Sequence, residues 1–387
     1  MALYILDDPG LSVQLPAKTR TEIGALRALN RHRIPTRPVG LADIDTLAED
    51  PQAVLLLPQL HAAPETVIRR CEQQAIPVIV LHTPGSSFPA LHFSSVCGHA
   101  HSDADALLRY CAAAGRQRLA LFAFNAVSAV DRSRAQAIAD RAATLQPEDL
   151  FAAVDSFETS FARFYPHRQQ YYAIHFANDY AAIAFIEAMQ AADPTYLAGR
   201  FLIGAADTLL SRLYHTTVTT ITYYRRDLLR GVATVYRTLL RDRGSVVSLQ
   251  YQLPAAIAVR QSTQHFPLPP EAAPLPGSGG STRLRFPEQG FFYEQDPVLG
   301  RIMATEDQLC AMDRTELQIL LHFLQGDTNR HTAEALYISD QALLYHTRRM
   351  FRRAGVTDKQ TFIRFFARYV SPAHLAAYLH THACAGT

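Results

Sequence analysis

Four arginines fall within six residues near the C-terminal end of this 387-residue sequence, where their charge could bind phosphate groups. Apolar or small residues in the same stretch recur at helical spacing, and we expect them to face a core: Leu343, Thr347, Met350 and Ala354. The opposite side of this helix would be polar and cationic, with Gln341, Tyr345, Arg348 and Arg352, flanked by His346 and Arg349. Such a helix is suited to the major groove of double-stranded DNA.

Two helices are predicted directly before this one. The first opens at Asp313, buries leucines at helical spacing and ends at Gly326, a residue favoured at helix ends. The second spans residues 329–336, and Ser339 is a good N-cap for the arginine-rich third helix. This order of three helices indicates a helix-turn-helix unit.

The stretch resembles the LuxR-type helix-turn-helix of bacterial regulators through Asn329, Ala333, Leu336, Ile338, Ser339, His346, Arg352, Arg353, Gly355 and Val356. The resemblance implies a DNA-binding surface formed by Asn329, Ser339, Gln341, Tyr345, His346, Arg348, Arg349 and Arg352. Two residues depart from the family pattern. Ala342 replaces a threonine that commonly contacts phosphate, and Leu344 replaces a common base-contacting lysine. We therefore expect weaker affinity or an unusual preferred site.

Strands and helices alternate through the first two thirds of the chain. The predicted strands include residues 3–6, 53–57, 77–81, 118–124, 172–176 and 201–203. The predicted helices include residues 18–33, 65–74, 103–114, 133–144, 179–191 and 227–241. This alternation indicates α/β architecture with parallel sheets covered on both faces. Such sheets bind ligands beyond the carboxyl ends of their strands.

Residues 1–263 resemble the ligand-binding core of lactose-repressor-type regulators, the periplasmic-binding-protein type I fold. The resemblance rests on five segments in the family's order: residues 92–96 with 114–121, 172–182, 201–207, 219–221 and 253–263. It implies a two-lobed sensor that closes on a small, carbohydrate-like molecule. The family's DNA reader precedes this core, whereas here it follows.

By position in that family, the candidate ligand contacts are Asp7, Asp8, Phe124, Asn125, Arg134, Asn178, Asp179 and Asp207. Asparagine and aspartate suit hydroxyl-rich ligands, arginine adds a directional fork and phenylalanine stacks on a sugar face. Arg132 competes with Arg134 for the family's arginine position. Structural roles stay open, because Asp179 could cap a helix and Asp207 could satisfy loop amides. Ala206 and Cys97-Gly98-His99 replace family ligand residues, so the ligand differs from an ordinary monosaccharide or the pocket has drifted.

A proline-rich and then glycine- and serine-rich segment separates the two parts. We predict a sensor domain at 1–263, a linker at 264–300 and a helix-turn-helix domain at 301–387. The linker composition is that of a tether, first stiff and then flexible.

Other features bound the class of protein. There is no apolar run of about 18 residues and no signal peptide at the N-terminus. Five cysteines without a CxxC pair suit reduced thiols in a cytoplasm. Neither a catalytic motif nor metal-site spacing is present, including around His92, Cys97, His99 and His101, so we expect no enzyme activity, cofactor or metal.

The sequence thus predicts a cytoplasmic, homodimeric, ligand-responsive transcription regulator whose partners are DNA and a small effector, with no membrane association. A degenerate sensor that acts through protein contacts, with constitutive DNA binding, is the alternative. A receiver domain is disfavoured, because the third strand ends in Pro58-Gln59 without an acceptor aspartate.

Overall fold

The computed structural model describes residues 2–7, 24, 26, 29, 34–50, 53–57, 64–82, 88, 90–142, 144–242, 248–270, 282–288, 290 and 293–381. Two six-stranded sheets and a C-terminal group of helices form this part of the chain. A single receiver domain does not account for the second sheet, so the receiver alternative stays disfavoured. Residues 271–281, 289, 291 and 292 of the proposed linker lie outside the described residues, as do Asp8 and most of the predicted helix at 18–33.

The first sheet, which we call lobe 1, has the strand order β11-β5-β4-β3-β1-β2. All its pairings are parallel. Its strands are β1 (Leu3–Leu6), β2 (Thr36–Val39), β3 (Val54–Leu57), β4 (Val78–Leu81), β5 (Ser94–Gly98) and β11 (Gln250–Leu253). The central strands β3 and β4 are buried along their whole length, as expected for a parallel sheet covered on both faces.

The second sheet, lobe 2, has the order β12-β10-β9-β8-β6-β7. Only the edge pair β10–β12 is antiparallel among the described pairings. Its strands are β6 (Leu119–Asn125), β7 (Leu150–Ala153), β8 (Ala173–Phe176), β9 (Phe201–Ala205), β10 (Thr219–Thr222) and β12 (Ala256–Ala258). Beyond the short 3-10 turns, the lobes carry α1 (Pro64–Gln73), α2 (Ala100–Ala113), α3 (Ala129–Ala139), α4 (Phe157–Phe164), α5 (Asp179–Ala192), α6 (Leu209–Leu213) and α7 (Arg225–Arg241).

The chain crosses between the lobes more than once. Helix α2 follows a lobe 1 strand, yet Leu107 and Cys111 on α2 pack into the core of lobe 2. Helix α7 follows a lobe 2 strand, and Leu228 and Val232 on α7 pack into lobe 1. Strands β11 and β12 then return to lobe 1 and lobe 2 in turn. These crossings make the two-lobed arrangement that the sequence predicts.

Six helices form the C-terminal part: α8 (Pro297–Ala311), α9 (Arg314–Leu324), α10 (Asn329–Ala335), α11 (Asp340–Ala354), α12 (Lys359–Ala367) and α13 (Pro372–Thr381). The three helices predicted between residues 313 and 354 are confirmed. Helix α8 begins within the segment predicted as linker. Its apolar residues Leu299, Ile302 and Leu309 recur at helical spacing and are fully buried, and only Leu299 lies within the predicted linker.

The C-terminal helices pack directly on lobe 2. One continuous core joins Phe176 and Phe185 of lobe 2 to Leu299, Phe323 and Leu375 of the helices. Polar contacts reinforce it, for example the His374 ring bonded to the Tyr214 carbonyl at 2.7 Å. A shared apolar core therefore holds the C-terminal helices against lobe 2, while the linker at 264–300 stays a prediction.

Candidate functional site

The carboxyl-terminal edge of lobe 2 brings together most of the predicted ligand contacts. Phe124 and Asn125 end β6, Asn178 follows β8 and Asp207 follows β9. Arg134 on α3 links them, because it donates to the Ala177 carbonyl and lies 5.4 Å from the Phe124 ring centroid. Asp7 lies elsewhere, after β1 in lobe 1, where its backbone N–H bonds Val39.

Asn178 and Asp179 hold local structure. The Asn178 side chain accepts the Ala181 N–H at 2.9 Å, which makes it the N-cap of α5. Asp179 is fully buried and accepts from Thr208 N–H at 2.8 Å and from the Thr220 hydroxyl at 2.7 Å. Burial raises the pKa of Asp179. The cap role expected as an alternative for Asp179 thus belongs to its neighbour, and Asp179 joins three strand ends instead.

Asp207 is committed to two arginines. Its carboxylate pairs with Arg212 at 2.5 Å and with Arg260, and only 14% of its side chain is exposed. Both Ala206 (φ 100°) and Asp207 (φ 55°) have left-handed backbone, which is unusual for residues with a Cβ. These contacts stabilise a tight turn between β9 and α6, so Asp207 has a structural role here.

Arg134 and Asn178 keep hydrogen-bonding capacity at this edge. The Arg134 Nε is buried without a partner among the described residues, and the Asn178 amide nitrogen makes no hydrogen bond there. Arg132 differs, because it is exposed and donates to the Ala126 carbonyl. The geometry favours Arg134 over Arg132 as the arginine of the site.

His175 and Asp103 are groups at this edge that the sequence reasoning did not assign. The His175 ring bonds the Ile203 carbonyl through Nδ1 at 2.9 Å, and its buried Nε2 has no partner among the described residues. Burial and the nearby Arg134 lower the pKa of His175 to about 3, so the ring is neutral. Burial raises the pKa of Asp103 to about 6, which Arg134 opposes. His175 is the one polar residue of the otherwise apolar strand β8, and this feature of the sequence could have identified it as a residue to consider.

One ring pair joins the lobes at their strand ends. The Tyr223 hydroxyl lies 2.8 Å from His82 Nδ1, and the rings stack with centroids 5.4 Å apart. His82 follows β4 of lobe 1 and Tyr223 follows β10 of lobe 2. The contact bridges the two edges that would flank a ligand.

The described residues 282–288, 290 and 293 lie against lobe 2 and approach the same edge. The Gln136 side chain of α3 bonds the backbone of Thr282 and Leu284. Gly290 lies so close to Asn125 that a Cβ there would collide with the Asn125 side-chain oxygen. The Tyr293 hydroxyl donates to the Ala123 carbonyl at 2.8 Å. This part of the predicted linker therefore covers one end of β6.

The second candidate site is the solvent-facing side of α9 to α11. Each helix begins at a capping side chain: Asp313 for α9, Thr328 for α10 and Ser339 for α11. Ser339, the predicted cap, accepts the Ala342 N–H at 3.2 Å. Helix α11 ends at Gly355, whose φ of 66° is left-handed. Leu343, Thr347 and Met350 are buried as predicted, whereas Ala354 is half-buried.

The arginines of α11 divide into two pairs. Arg349 and Arg353 both contact the fully buried carboxylate of Glu316, Arg349 at 2.7 Å, and Arg349 also contacts Asp313. Arg348 and Arg352 are exposed, and neither forms an ion pair in the part of the chain that the structure describes. Arg349, predicted as a DNA contact, thus lies where it ties α11 to α9.

The remaining predicted contacts lie around this surface. Asn329, Gln341 and Tyr345 are exposed and His346 is half-buried, while the Asn329 side chain accepts from Lys359 at 3.1 Å. Among the described residues, Asp313, Glu316 and His346 are close enough to hold a metal ion. Because Arg349 and Arg353 already neutralise both carboxylates, this trio is better explained as an ion-pair network.

No protein-family profile and no curated protein matches this sequence. Solved structures do match in fold. A LacI family regulator from Weissella paramesenteroides with bound sucrose has a TM-score of 0.51 and 15% identity, covering 69% of this chain and 100% of that one. The lac repressor dimer bound to operator and an anti-inducer has a TM-score of 0.50 and 17% identity, and the match covers 68% of this chain and 81% of that one. A transcriptional regulator in complex with cellobiose has a TM-score of 0.50 and 12% identity, and the match covers 67% of this chain and 84% of that one.

These similarities establish the fold of the two lobes as the periplasmic-binding-protein type I fold. Within the described residues, no helix is long and apolar enough to cross a membrane.

Proposed function

We propose that this protein is a cytoplasmic, ligand-responsive, DNA-binding regulator of transcription. A small, carbohydrate-like molecule would bind between the lobes and change how the C-terminal helices engage double-stranded DNA. The observation that carries the proposal is the exposed side of α11, where Gln341, Tyr345 and Arg348 face solvent while the other side is buried. A capped helix with one polar, cationic side is what major-groove entry requires.

The fold supports the sensing half of the proposal. Two of the similar structures carry sucrose or cellobiose, and one is bound to an operator. At the lobe 2 edge, the unpartnered groups of Arg134 and Asn178 suit ligand hydroxyls, since both donate hydrogen bonds. The ring of Phe124 is already covered by Arg134 and fully buried, which leaves the polar pair as the main contacts.

A direct connection between the halves supports coupling. Glu306 on α8 is 1% exposed and accepts the backbone N–H groups of Leu209 at 2.8 Å and Leu210 at 2.6 Å. These residues begin α6, immediately after the turn that holds Asp207 and Thr208. A ligand that shifts this turn would therefore move α8, the first helix of the C-terminal group. Coupling requires that the ligand prefer one of the two arrangements.

Dimerisation completes the proposal. Two copies related by a two-fold axis would present two α11 helices to a palindromic operator, with half-sites about one helical turn apart.

A second function is favoured by one specific observation. Asn125, Asn178, Asp179 and Asp207 all engage in internal hydrogen bonds or ion pairs, so little of the edge is free to bind a ligand. The lobes would then act as a protein-interaction module, and DNA binding would be constitutive.

A thermal-shift screen of the full-length protein separates the two functions. Sugars, sugar phosphates and nucleosides are the probes, and Arg134→Ala is compared with its helix neighbour Arg132→Ala. We expect at least one compound to raise the melting temperature of the wild type and of Arg132→Ala, but not of Arg134→Ala. A panel without any shift would favour the interaction module.

A further inference from the structure

The surface of the helix-turn-helix carries an unexpected apolar patch. Among the described residues, Val127, Tyr172, Tyr224, Leu268, Tyr337, Leu344 and Tyr345 are the exposed large hydrophobic side chains. Three of these seven lie between residues 337 and 345, and we call Tyr337, Leu344 and Tyr345 the apolar patch. Leu344 and Tyr345 are neighbours on α11, and Tyr337 lies in the turn before that helix, so the three exposed side chains are close together in the sequence of the proposed DNA-binding unit.

Each member of the apolar patch is displayed to solvent. Tyr337 is 96% exposed, Tyr345 62% and Leu344 48%. Tyr337 lies in the turn between α10 and α11 with a φ of 54°, a left-handed conformation that glycine or asparagine adopts more readily. A tyrosine held there with its ring in water has no evident role in folding. Its role is better sought in binding.

Charge around the apolar patch indicates the kind of partner. Leu344 lies on the same side of α11 as Gln341 and Arg348, which are three residues before it and four after it. Arg348 and Arg352 are exposed and unpaired within the described ranges, while Arg349 and Arg353 are drawn to Glu316. An apolar contact flanked by free guanidinium groups fits a nucleic-acid groove, where phosphates lie beside the bases.

The chemistry of the Leu344 side chain limits which DNA base it could recognise. Leucine has no hydrogen-bonding atom, and thymine is the base that presents a methyl group in the major groove. Gln341, one turn before, has the amide that pairs with adenine N6 and N7. An amide and an apolar side chain one turn apart match the adenine edge and the thymine methyl group, both of which belong to A·T base pairs.

We propose that Leu344, supported by Tyr345, reads a thymine methyl group, and that the preferred half-site contains a thymine at that position. This inference rests on the proposed DNA binding and names its specificity. Burying one methyl group in an apolar contact strengthens binding by about fourfold, from about 0.8 kcal/mol per buried carbon.

The test uses the full-length protein and DNA. Preferred sites are first selected from a randomised duplex library, and each thymine of the best site is then replaced by deoxyuridine, which lacks only the methyl group. We expect one replacement per half-site to weaken wild-type binding by about fourfold, and Leu344→Ala to be insensitive to it. Leu344→Met, which keeps an apolar tip, should retain most of the sensitivity, and Val127→Ala should behave as wild type.

The outcomes separate the inference from the proposed function. Selection of DNA sites that tolerate every deoxyuridine equally well overturns the methyl contact and leaves DNA binding intact. Failure to select any DNA overturns both. A change of self-association in Leu344→Ala and Tyr337→Ala, measured by sedimentation and accompanied by unchanged DNA affinity, would assign the apolar patch to a second copy of the chain instead.

Discussion

The two candidate sites differ in how their polar side chains are used. On α11, Gln341 and Arg348 point to solvent without a protein partner among the described residues. At the lobe 2 edge, Asp179 and Asp207 are closed into hydrogen bonds and ion pairs. The surface of α11 therefore presents unpaired polar groups to a partner. The lobe 2 edge would bind a ligand only through the few polar groups that have no internal partner.

The difference has a physical origin. A side chain on the outer face of a helix meets only neighbours within about one turn, so it stays free unless a second helix approaches. A side chain at a parallel strand end meets loops from distant parts of the chain. Asp207, for example, pairs with Arg260, 53 residues away. Substitutions can therefore test which residues belong to binding and which to folding.

Asp179→Ala should have the largest effect on stability. It removes a buried acceptor that serves Thr208 N–H and the Thr220 hydroxyl, leaving both donors unsatisfied. We expect a loss of about 3 kcal/mol in the free energy of unfolding, measured by urea titration. The exposed Asp155→Ala in the same lobe is the control and should change by less than about 0.5 kcal/mol. If the Asp179→Ala variant is as stable as the wild type and only loses ligand binding, Asp179 is a ligand contact and the structural role is refuted.

Glu306 should make stability depend on pH. Burial raises its pKa from 4.5 to about 7, so the folded protein holds a proton in this range that the unfolded chain has released. Stability then falls as pH rises from about 4.5 to about 7, by up to about 3 kcal/mol. Glu306→Gln removes this contribution, and the exposed Glu158→Gln does not. Parallel pH curves for the wild type and Glu306→Gln would refute the prediction.

Substitutions of the two kinds of arginine on α11 should affect different measurements, DNA binding for the exposed arginines and thermal stability for those that contact Glu316. Arg348→Ala should weaken DNA binding and lower the slope of log affinity against log salt by about 0.9 for one lost phosphate contact, with an unchanged melting temperature. Arg349→Ala should lower the melting temperature, because the buried Glu316 loses one of its two cations. Identical salt slopes for Arg348→Ala and the wild type would remove Arg348 from the interface.

Asn178→Ser should have the smallest effect on stability, and it distinguishes the helix-capping role of Asn178 from its proposed ligand contact. Serine is also a good N-cap, so α5 keeps its capped N–H and stability changes by less than about 0.5 kcal/mol. The amide nitrogen is lost, and affinity for the effector should fall by roughly tenfold, the equivalent of about 1.4 kcal/mol for one hydrogen bond. Asn178→Ala, which removes both functions, provides the comparison. Equal ligand affinity in the wild type and Asn178→Ser would limit Asn178 to its cap.

The sequence was sufficient where periodicity or local chemistry decides the structure. Helical spacing predicted the buried side of α11, and the cap at Ser339 is confirmed. The α/β alternation located most strands and helices, and the resemblance implied the two lobes, although β2, β7, β11, β12, α4 and α6 were not identified. Helix α3 begins at Ala129, before the predicted residue 133, because Ser128 caps it.

Long-range partners were beyond such reasoning. The first four residues of α8 fell within the predicted linker, and its apolar residues complete a core shared with lobe 2 that local composition does not indicate. The division of the arginines could not be predicted either, since it depends on Glu316 of a different helix. At the lobe 2 edge, position in the resembled family indicated which side chains gather there, but not that Asp207 would form ion pairs with Arg212 and Arg260.

Coupling between the two sites is the central claim, and the DNA affinity of the full-length protein tests it most directly. Fluorescence anisotropy on a selected operator would be measured with and without a compound that stabilises the protein. We predict that the compound changes the dissociation constant of the wild type, and that Arg134→Ala binds DNA as the wild type does without the compound and no longer responds. An affinity that is identical with and without every stabilising compound would contradict the account.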